Sequence, residues 1–328
     1  GSALSCGELL SACSLLRAAR IAHSGIAGVT DEELKAVRVL ADRLYFDAAL
    51  EEDIQTKILS DTEVSDYASD RLYTIRREIR SLNERIRSRL AEYLTGEEGK
   101  YLQDGIVTMR DNRYVLPVRA EYKRNIKGFI HDRSASGATF FIEPEQVLEM
   151  NNELRSLAID EKEEVERILG ELSRRVGFMG KELVSDIEVL EELDGFYARA
   201  EYAYKLSSVK PSVNASGIVS FDCGRHPLID RKKVVPITLS LGRDYRFLLI
   251  SGPNTGGKTV ALKTAGLLTL MAMCGLLIPA AEGSQISVFE TVFANIGDTQ
   301  SIEQNLSTFS AHMKQVIEIL QQADDRSL

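Results

Sequence analysis

The sequence predicts a multidomain fold. It is mainly α-helical, with two long helices carrying a small β-rich module between them, followed by part of an α/β domain. Three observations predict it. Apolar residues recur every three or four positions from Val64 to Leu90, and again from Met150 to Met179, the period of one helix face. Between these runs, from Lys100 to Ile142, the period shortens to two and glycines punctuate it, the mark of short strands. After Pro211 come short apolar runs and a glycine-rich loop, Ser251-Gly-Pro-Asn-Thr-Gly-Gly-Lys-Thr-Val260.

Composition bounds the possibilities. The 328 residues are 44% hydrophobic and 27% charged, enough for two or three modules. A net charge of −9 argues against a surface wholly given to nucleic acid and leaves a local basic patch open. Cys6, Cys13, Cys223 and Cys274 show no C-x-x-C spacing and the four histidines are scattered. No zinc site is expected, and a reduced, cytoplasmic setting is. Gly1-Ser2-Ala3-Leu4 reads as neither signal nor transit peptide. The longest uncharged apolar run, Thr264 to Ile278, is too short to span a bilayer, so no membrane partner is expected.

Residues 1–62 read as core helices. Leu9, Leu15 and Leu16 share the first, Gly25 and Gly28 mark a turn, and Asp31-Glu32-Glu33 open the second with acids at its positive end. Residues 63–98 form the first long helix. Its seam is Val64, Ala68, Leu72, Ile75, Ile79, Leu82, Ile86 and Leu90, with Arg and Glu on the other faces, a coiled-coil-like packing seam. Residues 99–142 form the β-rich module, with alternation at Ile106, Thr108 and Arg110, then at Tyr114, Leu116 and Val118. Helix resumes at Pro144, which suits a first turn. The second seam, in 143–179, is interrupted only by Glu161. Two seams of matching length predict an antiparallel pair carrying the β module at its tip. Residues 180–210 continue as helix.

In 211–328, Ile218–Phe221 and Val234–Ile237 read as short strands. Arg246–Ile250 reads as a buried strand of a parallel sheet. The helix Thr259–Cys274, closed by Gly275, is apolar on nearly every face and is expected between two layers. Ile286–Ile296 reads as one or two strands ended by Gly297-Asp298. Phe309, Met313, Val316 and Leu320 share a last helix face, with Ser307 or Thr308 as N-cap.

The loop fits G-x-x-x-x-G-K-[ST] at Gly252, Gly257, Lys258 and Thr259. Glycines let backbone N–H groups curl round phosphates, and a helix N-terminus adds partial positive charge. Lys258 is expected to bridge the β- and γ-phosphates of ATP, and Thr259 to hold Mg²⁺. The helix start at Ser307 is either a simple cap or is aimed at an anion. A hydrolase of this kind also needs an apolar strand ending in acidic residues. Glu282, Glu290, Asp298 and Asp324-Asp325 do not supply one. The expectation is a fragment that binds nucleotide but hydrolyses it poorly.

The β module reverses the charge of the chain. Lys100, Arg110, Arg113, Arg119, Lys123, Arg124, Lys127 and Arg133 face Asp104, Asp111, Glu121 and Asp132, a local balance of +4. Tyr101, Tyr114, Tyr122 and Phe129 interleave with them. This is either a solvated hairpin surface or a phosphate-backbone contact without base readout.

Three motifs carry a family likeness: "RHPLID" at 225–230, "SGPNTGGKT" at 251–259 and "STFSAHM" at 307–313. In order and spacing they resemble the nucleotide domain of the MutS superfamily, and the likeness extends over essentially the whole chain. Thr255, "SGATFFIEP" at 136–144 and "IGDTQSIEQNLSTFSAHM" at 296–313 resemble the bacterial type II branch. The resemblance implies an ascending lever helix over 63–98, a clamp over 99–142, a descending lever over 143–179 and core helices over 1–62 and 180–210. It also implies the N-terminal part of a P-loop ATPase domain over 211–328. Nucleotide contacts would come from Gly252, Pro253, Asn254, Thr255, Gly256, Gly257, Lys258, Thr259 and Val260, with Asn254 beside the γ-phosphate. Ser307 would reach the partner subunit's ATP in trans, which implies a homodimer. No catalytic residue is expected within the chain. Nucleic-acid contacts would come from Arg110, Arg113, Arg119, Lys123, Arg124, Lys127 and Arg133. Val234–Val235 falls roughly where the family packs the adenine ring, and His226 is a structural residue of its motif. The family is associated with branched DNA and suppression of homologous recombination, and with collided ribosomes, rRNA and ribosome quality control. Its C-terminal Smr endonuclease module is not found in this sequence. The alternative is a passive lever-helix scaffold whose loop no longer works; the intact loop, Lys258 and Thr259 speak against it.

Overall fold

The computed structural model describes residues 3–253, 257–296 and 305–328, except the side chains of Glu33 and of 305–312. The chain divides into two units, Gly1–Glu191 and Glu192–Leu328. Helix and small, largely antiparallel sheets make up both.

In the first unit, α1 (Cys6–Ala27) starts at a capping box between Ser5 and Glu8. Gly25 lies inside this helix and the chain leaves it only at Gly28, because an interior glycine weakens a helix without stopping it. After α2 (Lys35–Ala41), α3 (Ala48–Lys57) returns to α1. Leu9, Leu16, Leu50 and Ile54 are fully buried there, in one cluster with Leu72, Ile168 and Leu172.

The first long helix, α4 (Asp70–Thr95), begins later than its apolar seam. Val64 belongs to β2 (Glu63–Val64), paired with β1 (Ile58–Ser60), and Ala68 closes a 3-10 turn. Both residues are buried in the same cluster as Leu72. The burial period continues through the seam, but Ser69 stops the helix as N-cap, its hydroxyl accepting from the Leu72 N–H at 3.0 Å. The partner helix α5 (Glu145–Phe178) runs antiparallel to α4: Glu164 meets Ser69 near one end, and Val147 and Leu154 join Leu82, Ile86 and Leu90 near the other. Pro144 precedes α5 as N-cap and ends a strand.

The pair is electrostatically matched. α4 holds seven arginines against four acids, and α5 nine acids against five bases. Glu161, which interrupts the second seam, accepts from Arg76 Nε at 2.7 Å, and Arg76 also reaches Asp66 and the Val64 carbonyl. Buried Glu164 accepts from Arg167 and Ser69. The Arg167 hydrogen bonds come first among the causes that hold its carboxyl at about 2.

At the end of the pair lies an antiparallel sheet of β3 (Thr108–Arg110), β4 (Arg113–Arg119), β5 (Gly128–Arg133) and β6 (Thr139–Pro144), in the order β3-β4-β6-β5. One face carries Leu116, Val118 and Ile142 against Ile86 and Leu90 of α4 and Val147 of α5. β5 approaches β6 so closely that a Cβ on Gly128 would stand 2.0 Å from the Glu143 carbonyl oxygen.

α6 (Gly180–Leu206) runs into the second unit. That unit has a sheet of β7 (Ser212–Asn214), β8 (Val219–Gly224), β9 (Ile237–Leu241) and β10 (Gln285–Ser287), ordered β7-β10-β8-β9, with only β7 and β10 parallel. The helices are α7 (Lys258–Met273) and α8 (Asn305–Gln322). Here several expectations need correction. Residues 246–250 form no strand, and Phe247 and Leu249 are each 92% exposed. Among the described residues nothing pairs with their backbone, and a strand exists only with a ladder partner. α7 is not enclosed between layers either. Leu268 and Met271 are buried under β8 and β10, whereas Leu262 and Leu270 are exposed. An apolar groove of about 660 Å³ lies between α7, the 246–250 segment and residues 292–296. Val234–Val235 is not a strand; the pairing starts at Ile237. Of 286–296, only the first residues lie in β10, with an isolated bridge from Thr291 to Ser327.

Candidate functional site

The glycine-rich loop leads into α7. Gly257 is its N-cap at φ 77°, ψ 11°, a left-handed conformation that glycine adopts without a Cβ clash. Among the described residues the cap makes no side-chain hydrogen bond. The N-terminal N–H groups of a 16-residue helix therefore face the loop, and Gly252, Pro253, Gly257, Thr259 and Val260 are exposed around it. Lys258 lies in the first turn of α7 and its Nζ donates to the Gly252 carbonyl. The lysine thus closes the two ends of the loop onto each other. Helix-start N–H groups, a helix dipole and an ammonium group at one point fit a phosphate, and a hydroxyl at Thr259 fits a Mg²⁺ ligand. Asn254, Thr255 and Gly256 lie outside the described residues, as do Gly297 and Asp298. Ser307 falls inside α8, which already includes Asn305, so neither Ser307 nor Thr308 is its N-cap; the Ser307 side chain lies outside the described part. Among the described residues no cluster of His, Cys, Asp and Glu could hold a metal ion.

The basic residues of the β module separate into two groups. Arg119, Lys123, Arg124, Lys127 and Arg133 are exposed. Lys123 stands over the Phe140 ring at 5.0 Å. Arg110 is half exposed and lies over the Phe141 ring at 4.2 Å, with Asp132 at 3.8 Å. Arg113 belongs elsewhere. Its guanidinium, only 14% exposed, donates to Glu143 at 2.8 Å and to Asn152 at 2.5 Å. Its hydrogen bonds tie it to β6 and α5.

Glu143 is the centre of a network that the sequence reading missed. Fully buried, it also meets His131 Nε2 at 2.5 Å and accepts from Asn151 Nδ2 at 2.7 Å. Asn151, in the first turns of α5, takes both backbone groups of Tyr114, donating to its carbonyl and accepting from its N–H, each at 3.1 Å. The Tyr114 hydroxyl in turn donates to Asn83 of α4 at 2.8 Å. The sheet is thus hydrogen-bonded to both long helices. The available signal was a carboxylate inside the apolar run Phe140-Phe141-Ile142-Glu143-Pro144, and an Asn-Asn pair beside the seam residues Met150 and Leu154.

A paired-helix unit bearing a basic sheet, together with a phosphate-type loop, defines a class of architecture that the comparisons place. Residues 248–328 match the family model MutS domain V. The whole chain is 49% identical to a protein named Endonuclease MutS2 from Agathobacter rectalis, of which it covers 42%. It is 46% identical to that of Clostridium beijerinckii over its full length. Over 90% of its length it is 50% identical to that of Caldanaerobacter subterraneus, covering 38% of that protein. The chain belongs to the MutS family, in its MutS2 branch, and spans less than half the length of these curated relatives.

Proposed function

We propose that this chain is the clamp, lever and nucleotide-loop portion of an ATP-controlled nucleic-acid-binding protein. The observation that carries the reading is the glycine-led start of α7. Gly257 in left-handed conformation, Lys258 folded on Gly252 and the exposure of Gly252, Pro253, Gly257 and Thr259 suit an anion cradle. Bound ATP would supply the phosphates and, with Mg²⁺, the charge that this cradle complements. Gly252, Gly257, Lys258 and Thr259 would hold them, with Ser307 contacting the ATP of a second copy in a homodimer. Titration calorimetry with Mg·ATP tests this. The intact chain should bind and Lys258→Ala should not. Equal binding by both would contradict the assignment.

The nucleic acid would meet the exposed cations Arg119, Lys123, Arg124, Lys127 and Arg133, which neutralise phosphates without reading bases. Branched DNA and ribosomal RNA on collided ribosomes are the two candidate partners, linked to recombination suppression and ribosome rescue respectively. Offering a four-way junction and collided ribosomes in competition separates them. A variant with Arg119, Lys123, Arg124 and Lys127 changed to Glu should lose whichever is preferred.

A further inference from the structure

We propose that the outer face of the β3–β6 sheet binds an unpaired nucleotide, with Phe129 as the platform on which its base stacks. This rests on the nucleic-acid reading of the module and names the form of nucleic acid it takes.

The register fixes which side chains share that face, because directly opposed residues of an antiparallel pair point the same way. Leu116 faces Ile142, and both lie in the cluster against the long helices. Pro117 faces Phe141, and Phe129 faces Glu143, so Phe129, Phe141 and Glu143 lie on the opposite, outer face. The other exposed apolar residues of the two edge strands sit differently: Met109 pairs with Tyr114, and Ile130 with Ile142, on the helix side. Phe129 is thus the one exposed apolar residue among these outer positions, at 56% exposure.

The other aromatics of the module are engaged. Tyr101 and Tyr122 pack at 5.1 Å, Tyr114 is buried with its hydroxyl on Asn83, and Phe141 lies under Arg110. Among the described residues no ring or cation stands against Phe129. Its surroundings are polar and charged. Asp132 shares its strand, Arg110 reaches across the face to Asp132, and Arg119 lies on the same face opposite Thr139. By strand rise, Arg119 is about 13 Å along the sheet from the level of Phe129. A protein-docking face needs a contiguous exposed apolar core; here Val115, Pro117 and Phe141 of the same face are buried, and the one exposed ring stands among ions. An exposed ring with Arg119 about 13 Å along the same face suits a base on the ring and a phosphate further along the strand on the cation. A base inside a duplex is stacked on its neighbours, so only an unpaired one can use this platform.

The test is fluorescence anisotropy with a labelled poly-dT strand and a blunt duplex of equal length. It uses the 328-residue chain and three variants: Phe129→Ala, Phe129→Trp, and the four-site charge reversal. Phe129→Ala should weaken binding of the strand about 5-fold or more and leave the duplex unchanged. Phe129→Trp should restore strand binding. The charge reversal should weaken both. Equal effects of Phe129→Ala on strand and duplex, or none on either, would overturn the stacking role while leaving the basic contact standing. If the intact chain binds neither acid, the nucleic-acid reading itself falls, and this inference with it. Phe129 is exposed on an edge strand, so matching circular dichroism of the variants confirms that only the surface has changed.

Discussion

Asp186 is buried in the first unit with one oxygen accepting from the Tyr45 N–H at 2.8 Å and the other without a hydrogen-bond partner among the described residues. Burial raises its pKa, so the folded state binds its proton more tightly than the unfolded state does. Stability from this group is present at low pH and is lost as pH rises through the folded value. Asp186→Asn keeps the acceptor for Tyr45 and removes the charge. We predict a higher melting temperature than the parent at pH 8, and a smaller difference at pH 4. Gly128 makes the opposite case. A methyl group there would drive into the Glu143 carbonyl, and Gly128→Ala should cost about 1–3 kcal/mol in urea unfolding of the first unit. Neither residue was legible in the sequence. Asp186 lies in an ordinary helical pattern, and the constraint on Gly128 comes from Glu143 of the paired strand, 15 residues away in the sequence. The partner of Arg113 was hidden for the same reason: composition groups it with the surface cations, and Glu143 is 30 residues distant.

At the scale of elements, the long helices were the most legible part, because a seam of Leu and Ile records helix periodicity directly. The start of α4 was not, because β2 and a 3-10 turn bury Val64 and Ala68 at helix-like spacing. The signal was Ser69-Asp70, a cap followed by an acid. Ser69 does two things at once, capping α4 and donating to buried Glu164 at 2.7 Å. Ser69→Ala should therefore cost at least the ~1 kcal/mol of a lost cap, and Ser69→Thr should recover most of it. Glu164 and Glu51, both held at about 2 by arginine hydrogen bonds, have depressed folded pKa values. Their stabilisation is present above the ordinary carboxylate range and is lost as pH falls from about 4.5 towards 2. Acid titration followed by circular dichroism should show the first unit weakening in that window. The apolar run at 246–250 was legible as a strand and formed none, because hydrophobicity states what a segment can bury and not whether a neighbour is there to cover it.

At the scale of the whole molecule, the two units carry the two halves of the proposed activity: a phosphate cradle in one and a basic sheet hydrogen-bonded to both long helices in the other. The bonds from Tyr114 to Asn83 and Asn151 make the sheet move with the helices. Displacement of the helices would therefore re-aim the cations and Phe129 together. The charge reversal in 99–142 and the glycine loop were both plain in the sequence, since each is local; the network that fastens the sheet to the helices was not, since it joins residues from five elements. The measurement that tests this most directly is the affinity for a labelled nucleic acid with and without Mg·ATP, for the intact chain and for Lys258→Ala. A nucleotide-controlled clamp predicts an affinity that changes with ATP in the intact chain and stays constant in the variant. The same affinity with and without nucleotide in the intact chain, under conditions where calorimetry shows ATP bound, would contradict it.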